Sequence, residues 1–170
     1  MDATIRHGTS ETRDGSIHLL RFALRLPHPA VRVWAAVATP EGLPTWLAAA
    51  DVLEPHVGGA ITLRWLNATD PVAAEGRVTA WDPERVVEYD LDTLHGRMRF
   101  HLEPADADAT VVRLTHELRG TDELRLDTLA AWHDHFELLA AALDGQPMTD
   151  WSDWTPGRWQ ELREEYVSRP

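Results

Sequence analysis

Residues 122–144, DELRLDTLAAWHDHFELLAAALD, constrain the fold more than any other stretch of this chain. Leu126, Leu129, Trp132 with His133, Phe136, Leu139 with Ala140, and Leu143 recur at intervals of three and four. At 3.6 residues per turn, that spacing lines them along one side of a helix. Thr121 or Asp122 can cap its start, and Gly145 followed by Pro147 stops it. At ~1.5 Å per residue the helix runs for roughly 33 Å, about the width of a small domain. A helix this long, preceded by strands, needs a sheet to lie on.

The strands are read from a period of two. Asp14-Gly15 offers the positive φ angles of a tight two-residue turn, with Thr4 to Thr12 before it and Leu20, Phe22, Leu24 and Leu26 alternating with polar neighbours after it. Gly8 weakens the first of these strands. His28-Pro29 opens a short helix carrying Val33, Trp34 and Val37, and Thr39-Pro40 leads into another, Glu41 to Leu47, carrying Trp46. From Asp51 to Leu118 the alternation returns. Ile61, Leu63 and Trp65 share a face; so do Val87, Tyr89 and Leu91, then Met98, Phe100 and Leu102, then Val112, Leu114, His116 and Leu118. Glu75 to Trp81 reads as one further strand. Consecutive strands on short turns form an antiparallel meander with one apolar face. The fold class is therefore α+β: a curved antiparallel sheet gripping a long C-terminal helix, with two short helices after the first hairpin. Residues 1–145 form the domain. Residues 146–170 form a tryptophan-rich linker and a short helix, with Trp159, Leu162 and Tyr166 on one side, packed on that domain.

Composition narrows the chemistry. The chain has no cysteine, which removes disulfides, thiolate metal sites and a cysteine nucleophile. All 16 basic residues are arginine, so a Schiff-base lysine and a P-loop are excluded. A net charge of −12 repels a phosphate backbone, so no nucleic-acid partner is expected. No apolar run approaches the ~20 residues that cross a bilayer, and the polar N-terminus lacks a signal peptide's apolar segment. A cytoplasmic location without membrane insertion is expected.

The ordered segments RFALRLPHPAVRVWAAVATPEGLPTWL (21–47), VGGAITLRW (57–65), EGRVTAWDPERVVEYD (75–90), VVRLTHEL (111–118) and AAWHDHFELLAAALDG (130–145) carry a family resemblance. Together they resemble the START-like (SRPBCC) helix-grip superfamily, in the group related to the activator domain of the Hsp90 ATPase. The tail helix resembles an extension on stand-alone bacterial members. The resemblance implies a cavity between sheet and long helix that takes hydrophobic or amphipathic small molecules. Some relatives are cyclases, hydratases or lyases, others are carriers or sensors, and the name-giving member binds a chaperone. A fold shared by so many functions does not choose among them.

His116 shares a strand face with Val112, Leu114 and Leu118 and should point inward. It reads either as a core histidine bonded to a neighbour or as a cavity group that orients a ligand or acts as general acid or base. The family pattern has a histidine in the same LTH context. Trp132 is a packing anchor that can double as a cavity wall. His133 lies on the flank of the helical stripe, four residues before Glu137, where an exposed pair is the alternative. The ligand-contacting candidates are His116, Trp132, His133, Trp65, Tyr89, Trp46 and Phe100, with His116 as the one acid/base candidate.

His133 and His135 point about 200° apart on a helix and cannot share one ion, and no known ligand spacing such as HExxH occurs. Neither a metal site nor a cofactor is expected. Trp151, Trp154 and Trp159 fall within nine residues of the tail. They either clamp the tail to its own domain or form a homodimer contact.

Binding of an apolar or aromatic small molecule for carriage, sensing or sequestration ranks first. A cyclase or lyase acting on a polyketide-like substrate in the same cavity ranks second, because it needs two positioned polar groups and only His116 is in view. A chaperone-assisting interaction domain ranks third, since it needs an exposed apolar patch.

Overall fold

The computed structural model describes residues 5–68, 73–92 and 95–169. Eight strands form one curved antiparallel sheet: β1 (Thr9–Arg13), β2 (Ile17–Leu26), β3 (Ala48–Leu53), β4 (Ala60–Trp65), β5 (Ala73–Asp82), β6 (Val86–Asp90), β7 (Arg97–Asp106) and β8 (Ala109–Arg119). Their spatial order is β1-β2-β8-β7-β6-β5-β4-β3, so the first hairpin closes against the last strand. The link from β2 to β3 crosses the sheet through α1 (Ala30–Ala38) and a 3-10 turn at Leu43–Thr45. The long helix α2 (Asp122–Leu143) lies in the grip, and α3 (Gly157–Ser168) packs behind it. No helix among the described residues is long and apolar enough to cross a membrane.

The alternation predicts the strand faces. Leu20, Phe22, Leu24 and Leu26 are buried, as are Val87 and Tyr89, Met98, Phe100 and Leu102, and Val112, Leu114, His116 and Leu118. Details of the turns differ. Register runs from Arg13↔Ile17, so three residues connect the first hairpin rather than two. Asp14 and Gly15 both have positive φ, and Ser16 N–H closes the turn onto Arg13 C=O. The first strand begins at Thr9, and Thr4 lies outside the described residues. Gly8 has a different role, since a Cβ there would sit 2.4 Å from the Phe22 ring. The expected helix Glu41 to Leu47 shrinks to the 3-10 turn, with Pro44 inside it. A proline within a helix removes one ladder bond and clashes with the preceding turn.

Helix α2 has well-satisfied ends. Thr121 Oγ1 accepts from Leu124 N–H at 3.1 Å, a cap worth ~1 kcal/mol, and Asp122 and Glu123 sit where the helix dipole favours acids. At the other end Gly145 adopts φ 90°, letting Gln146 N–H reach Ala141 C=O and Gly145 N–H reach Ala142 C=O. These two bonds form the Schellman ending that favours glycine. Arg32 of α1 adds its guanidinium to Leu143 C=O at 2.9 Å.

One feature of α2 exceeds its amphipathic stripe: Asp134 and His135, outside the expected stripe, are buried too. The tail covers them. Trp154 Nε1–H donates to Asp134 Oδ2 at 3.0 Å, and Trp151 stacks on the His135 ring at 25° while donating to Pro44 C=O. Trp159 Nε1–H donates to Asp127 C=O, and Arg158 forks onto both Glu137 oxygens at 2.9 and 2.7 Å. Leu162 and Tyr166 are buried. The Tyr166 hydroxyl accepts from Gly8 N–H at 2.8 Å and shares a hydrogen bond with His133 Nδ1 at 2.9 Å. One oxygen thus joins the N-terminal segment, α2 and α3.

Tyr166→Phe removes both bonds and leaves the buried His133 nitrogen without its partner. Unsatisfied buried groups of this kind cost about 1–3 kcal/mol. Urea denaturation should show a loss of that size, and an unchanged midpoint would show that the hydroxyl does not fasten the tail.

Candidate functional site

A cavity of about 360 Å³ lies between the sheet and α2. Trp65 at the end of β4, Met98 of β7, and His116 and Leu118 of β8 form its sheet side. Leu124, Asp127, Thr128, Ala131, Trp132 and His135, one stripe of α2, form the opposite side. Leu47, Asn67, His95 and Trp159 complete it, so the tail helix contributes one wall. Leu47, Met98, His116, Leu118, Trp132 and His135 are buried, whereas Asn67, His95, Leu124, Asp127, Thr128 and Trp159 are half-buried along the rim.

The polar groups in this wall are mostly tied to one another. Trp132 Nε1–H donates to His116 Nδ1 at 2.8 Å. With Nδ1 accepting, the ring proton sits on Nε2, which donates to His95 C=O. Burial without a countercharge pushes His116 down to about 4, so the ring is neutral near pH 7. His95 is held in the same manner. Its Nε2 accepts from Trp65 Nε1–H at 3.0 Å, and its Nδ1 donates to Asp92 Oδ1 at 2.9 Å. The Asp92 carboxylate also accepts His95 N–H, so the side chain and backbone of His95 hang on one turn. At the rim, Arg163 Nε donates to Asp127 Oδ1 at 2.6 Å, and Thr128 donates to Leu124 C=O.

His116 therefore points inward, as its strand phase requires, but neither of its nitrogens is open to a ligand. The geometry is that of a bonded core histidine that also forms part of the cavity surface.

Of the other expected ligand contacts, Trp132 and Trp65 line the cavity. Trp46, Tyr89, Phe100 and His133 lie outside its lining. Trp46 stacks on Phe136 with centroids 5.8 Å apart, Phe136 stacks on Trp132 at 5.4 Å, and Phe100 meets both tryptophans edge-on. These four rings fill the core solidly. Trp46 Nε1–H ends on Ala36 C=O and Tyr89 OH on Val37 C=O, which ties both to α1. Burial also pushes the Tyr89 phenol far up. His133 is 2% exposed, against Phe22, His7 and Tyr166, with Nε2 3.9 Å from Glu137. Of the pair considered from the sequence, His133 is buried beneath the tail and Glu137 stays half-exposed. Among the described residues no three His, Asp or Glu side chains converge as metal ligands.

Sequence reasoning missed His95, His135 and Trp159 as cavity residues. His95 lies in a turn, where alternation carries no signal. His135 lies outside the apolar stripe, and only the tryptophan-rich tail hinted that this flank of the helix would be covered.

The buried histidines make stability depend on pH. In the unfolded chain an imidazole protonates near 6.5, whereas His116 and His133 are both pushed down to about 4 in the native protein. Between those values the unfolded state binds more protons, so stability is full above 6.5 and falls as pH drops toward 4. At pH 4.5, His116 alone should account for about 2–3 kcal/mol of loss. Urea midpoints measured from pH 7 to 4.5 should decline steadily. A flat profile would mean that these rings are protonated in place.

A family model described as "Activator of Hsp90 ATPase homolog 1-like protein" matches residues 27–144. A search among curated proteins finds no significant sequence match. Among solved structures, CalU16 from Micromonospora echinospora is 16% identical with a TM-score of 0.70, covering 99% of this chain and 98% of its own. The protein encoded by gene BPP1335 from Bordetella parapertussis is 24% identical with a TM-score of 0.67, covering 96% and 92%. EF2215 from Enterococcus faecalis, described as a conserved protein of unknown function, is 13% identical with a TM-score of 0.68, covering 94% and 88%. At these identities the likeness establishes the fold. With more than half of its length matched by the family and α2 held in the grip of the sheet, the chain belongs to the Activator of Hsp90 ATPase homolog 1-like family.

Proposed function

We propose that this protein binds an apolar or aromatic small molecule in the cavity between the sheet and α2. The supporting observation is the wall itself. Three indoles, Trp65, Trp132 and Trp159, stand with Leu47, Met98, Leu118 and Leu124 around a space of about 360 Å³. Small-molecule pockets run from ~300 to 1,000 Å³ and are mostly apolar with a few placed polar groups. The volume sits at the small end and suits a ligand of one or two fused rings rather than a long lipid chain.

Carriage, sensing or sequestration fits this wall better than catalysis. A cyclase or lyase requires polar groups presented to the substrate. His116 and His95 instead turn both nitrogens to partners within the wall. A chaperone-assisting role would call for contiguous exposed apolar surface. Among the described residues, the large exposed apolar side chains are Val31, Val52, Val57 and Val167, scattered over α1, β3 with its following loop, and α3.

Titration with N-phenyl-1-naphthylamine, a neutral two-ring-system probe, should quench tryptophan emission with a Kd of roughly 10 μM, typical of a small apolar ligand. Ala131→Phe places a ring in the void from the middle of α2. It should weaken binding at least tenfold while keeping the native circular dichroism. A folded variant that binds the probe as tightly as wild type would place the site elsewhere.

A further inference from the structure

His135 differs from the other polar residues of the cavity. It lines the α2 side, is 5% exposed, and carries the only buried side-chain nitrogen or oxygen among the described residues that lacks a hydrogen-bond partner, its Nε2. Buried polar atoms in folded proteins nearly always find partners, because a desolvated lone pair without a donor is costly. The other nitrogen sets the character of this one. Nδ1 lies 2.7 Å from Ala131 C=O, and a carbonyl can only accept. Nδ1 therefore carries the proton, and Nε2, across Cε1 from it, carries a lone pair without a partner. Burial pushes His135 protonation down, so that lone pair stays available near neutral pH. Trp151 stacks on the ring with an interplanar angle of 25° and holds its orientation from the tail side.

We infer that the cavity selects an aromatic ligand carrying a hydrogen-bond donor, most simply a phenolic hydroxyl, whose O–H is received by His135 Nε2. This rests on the binding reading above and adds to it a ligand class and a specificity residue. Around the same cavity, His95 and His116 have both ring nitrogens engaged, Asp127 is paired with Arg163, and Thr128 donates into its own helix. His135 is the remaining deep acceptor. Sites built to bond a ligand hydroxyl discriminate strongly against the analogue that lacks it, because the site's own polar atom is then left unpaired.

Isothermal titration of the full chain with 2-naphthol and with 2-methoxynaphthalene separates the possibilities. The two share the ring system, and only the first can donate. Wild type should bind 2-naphthol at least fivefold more tightly. In His135→Phe, and in His135→Leu as a second variant, the ratio should fall to about one with the methoxy compound little changed. The ¹⁵N resonance of His135 Nε2 should move on adding 2-naphthol and stay in place with the ether. If wild type binds neither compound, the cavity reading fails and this inference falls with it. Equal binding of both by wild type would keep the cavity and overturn the donor selection, leaving a buried water as the partner of Nε2. A preference that survives in the His135 variants would also overturn it, by moving the hydroxyl to another rim group.

Discussion

The bond from the Trp132 indole to His116 Nδ1 joins the middle of the long helix to the central part of the sheet. A buried indole N–H needs an acceptor, and a buried imidazole needs both nitrogens occupied. Each supplies what the other lacks. Once Nδ1 accepts, the ring proton is committed to Nε2 and thereby to the His95 carbonyl, which ties the turn before β7 into the same line. Helix, strand and turn are then in register across the concave face. The stacked rings of Trp46, Phe136 and Trp132 carry that contact into the solid part of the core.

The cavity is what remains where this packing stops. On one side of Trp132 the aromatic rings fill the space completely. On the other, the sheet presents Trp65, Met98 and Leu118, while α2 presents the smaller Thr128 and Ala131, which leaves a void. Close-packed interiors hold few such spaces. The tail adds one wall. Trp159 forms part of the wall, and the pairing of Arg163 with Asp127 and Glu123 and of Arg158 with Glu137 anchors α3 at its rim. The exposed ion pairs contribute modestly one by one, so the buried Leu162 and Tyr166 carry most of the attachment.

Much of this is legible in the residue order. Strand faces follow from alternation, and His116 is inward for the same reason as Leu114 and Leu118. The stripe on α2 and both of its end signals can be read directly. Inward direction alone does not tell that Trp46, Tyr89 and Phe100 pack in the core and lie outside the lining of this cavity. An inward ring fills a core or borders a void according to what stands opposite, and for these three the opposite space is occupied by Phe136, Trp132 and α1. The partners of His116 are likewise invisible, because His95 and Trp132 lie 21 and 16 residues away and meet it only through strand pairing and helix docking. His135 was hidden by its direction. A one-sided stripe predicts one buried face, yet the tail returns to bury a second.

The sequence by itself determined the class of fold, the inward set of each strand and the length and ends of α2, because these depend on local periodicity and on side chains acting within a few residues. It also excluded thiol and lysine chemistry outright through composition. Tertiary structure decided which inward groups are core and which are wall. It decided which ring nitrogens are occupied, and it left the Nε2 of His135 alone without a partner among the described residues. The physical reason is that cavities and hydrogen-bond partners belong to pairs of surfaces brought together by folding. A residue's neighbours along the chain set its direction, and only the opposing element sets what it meets.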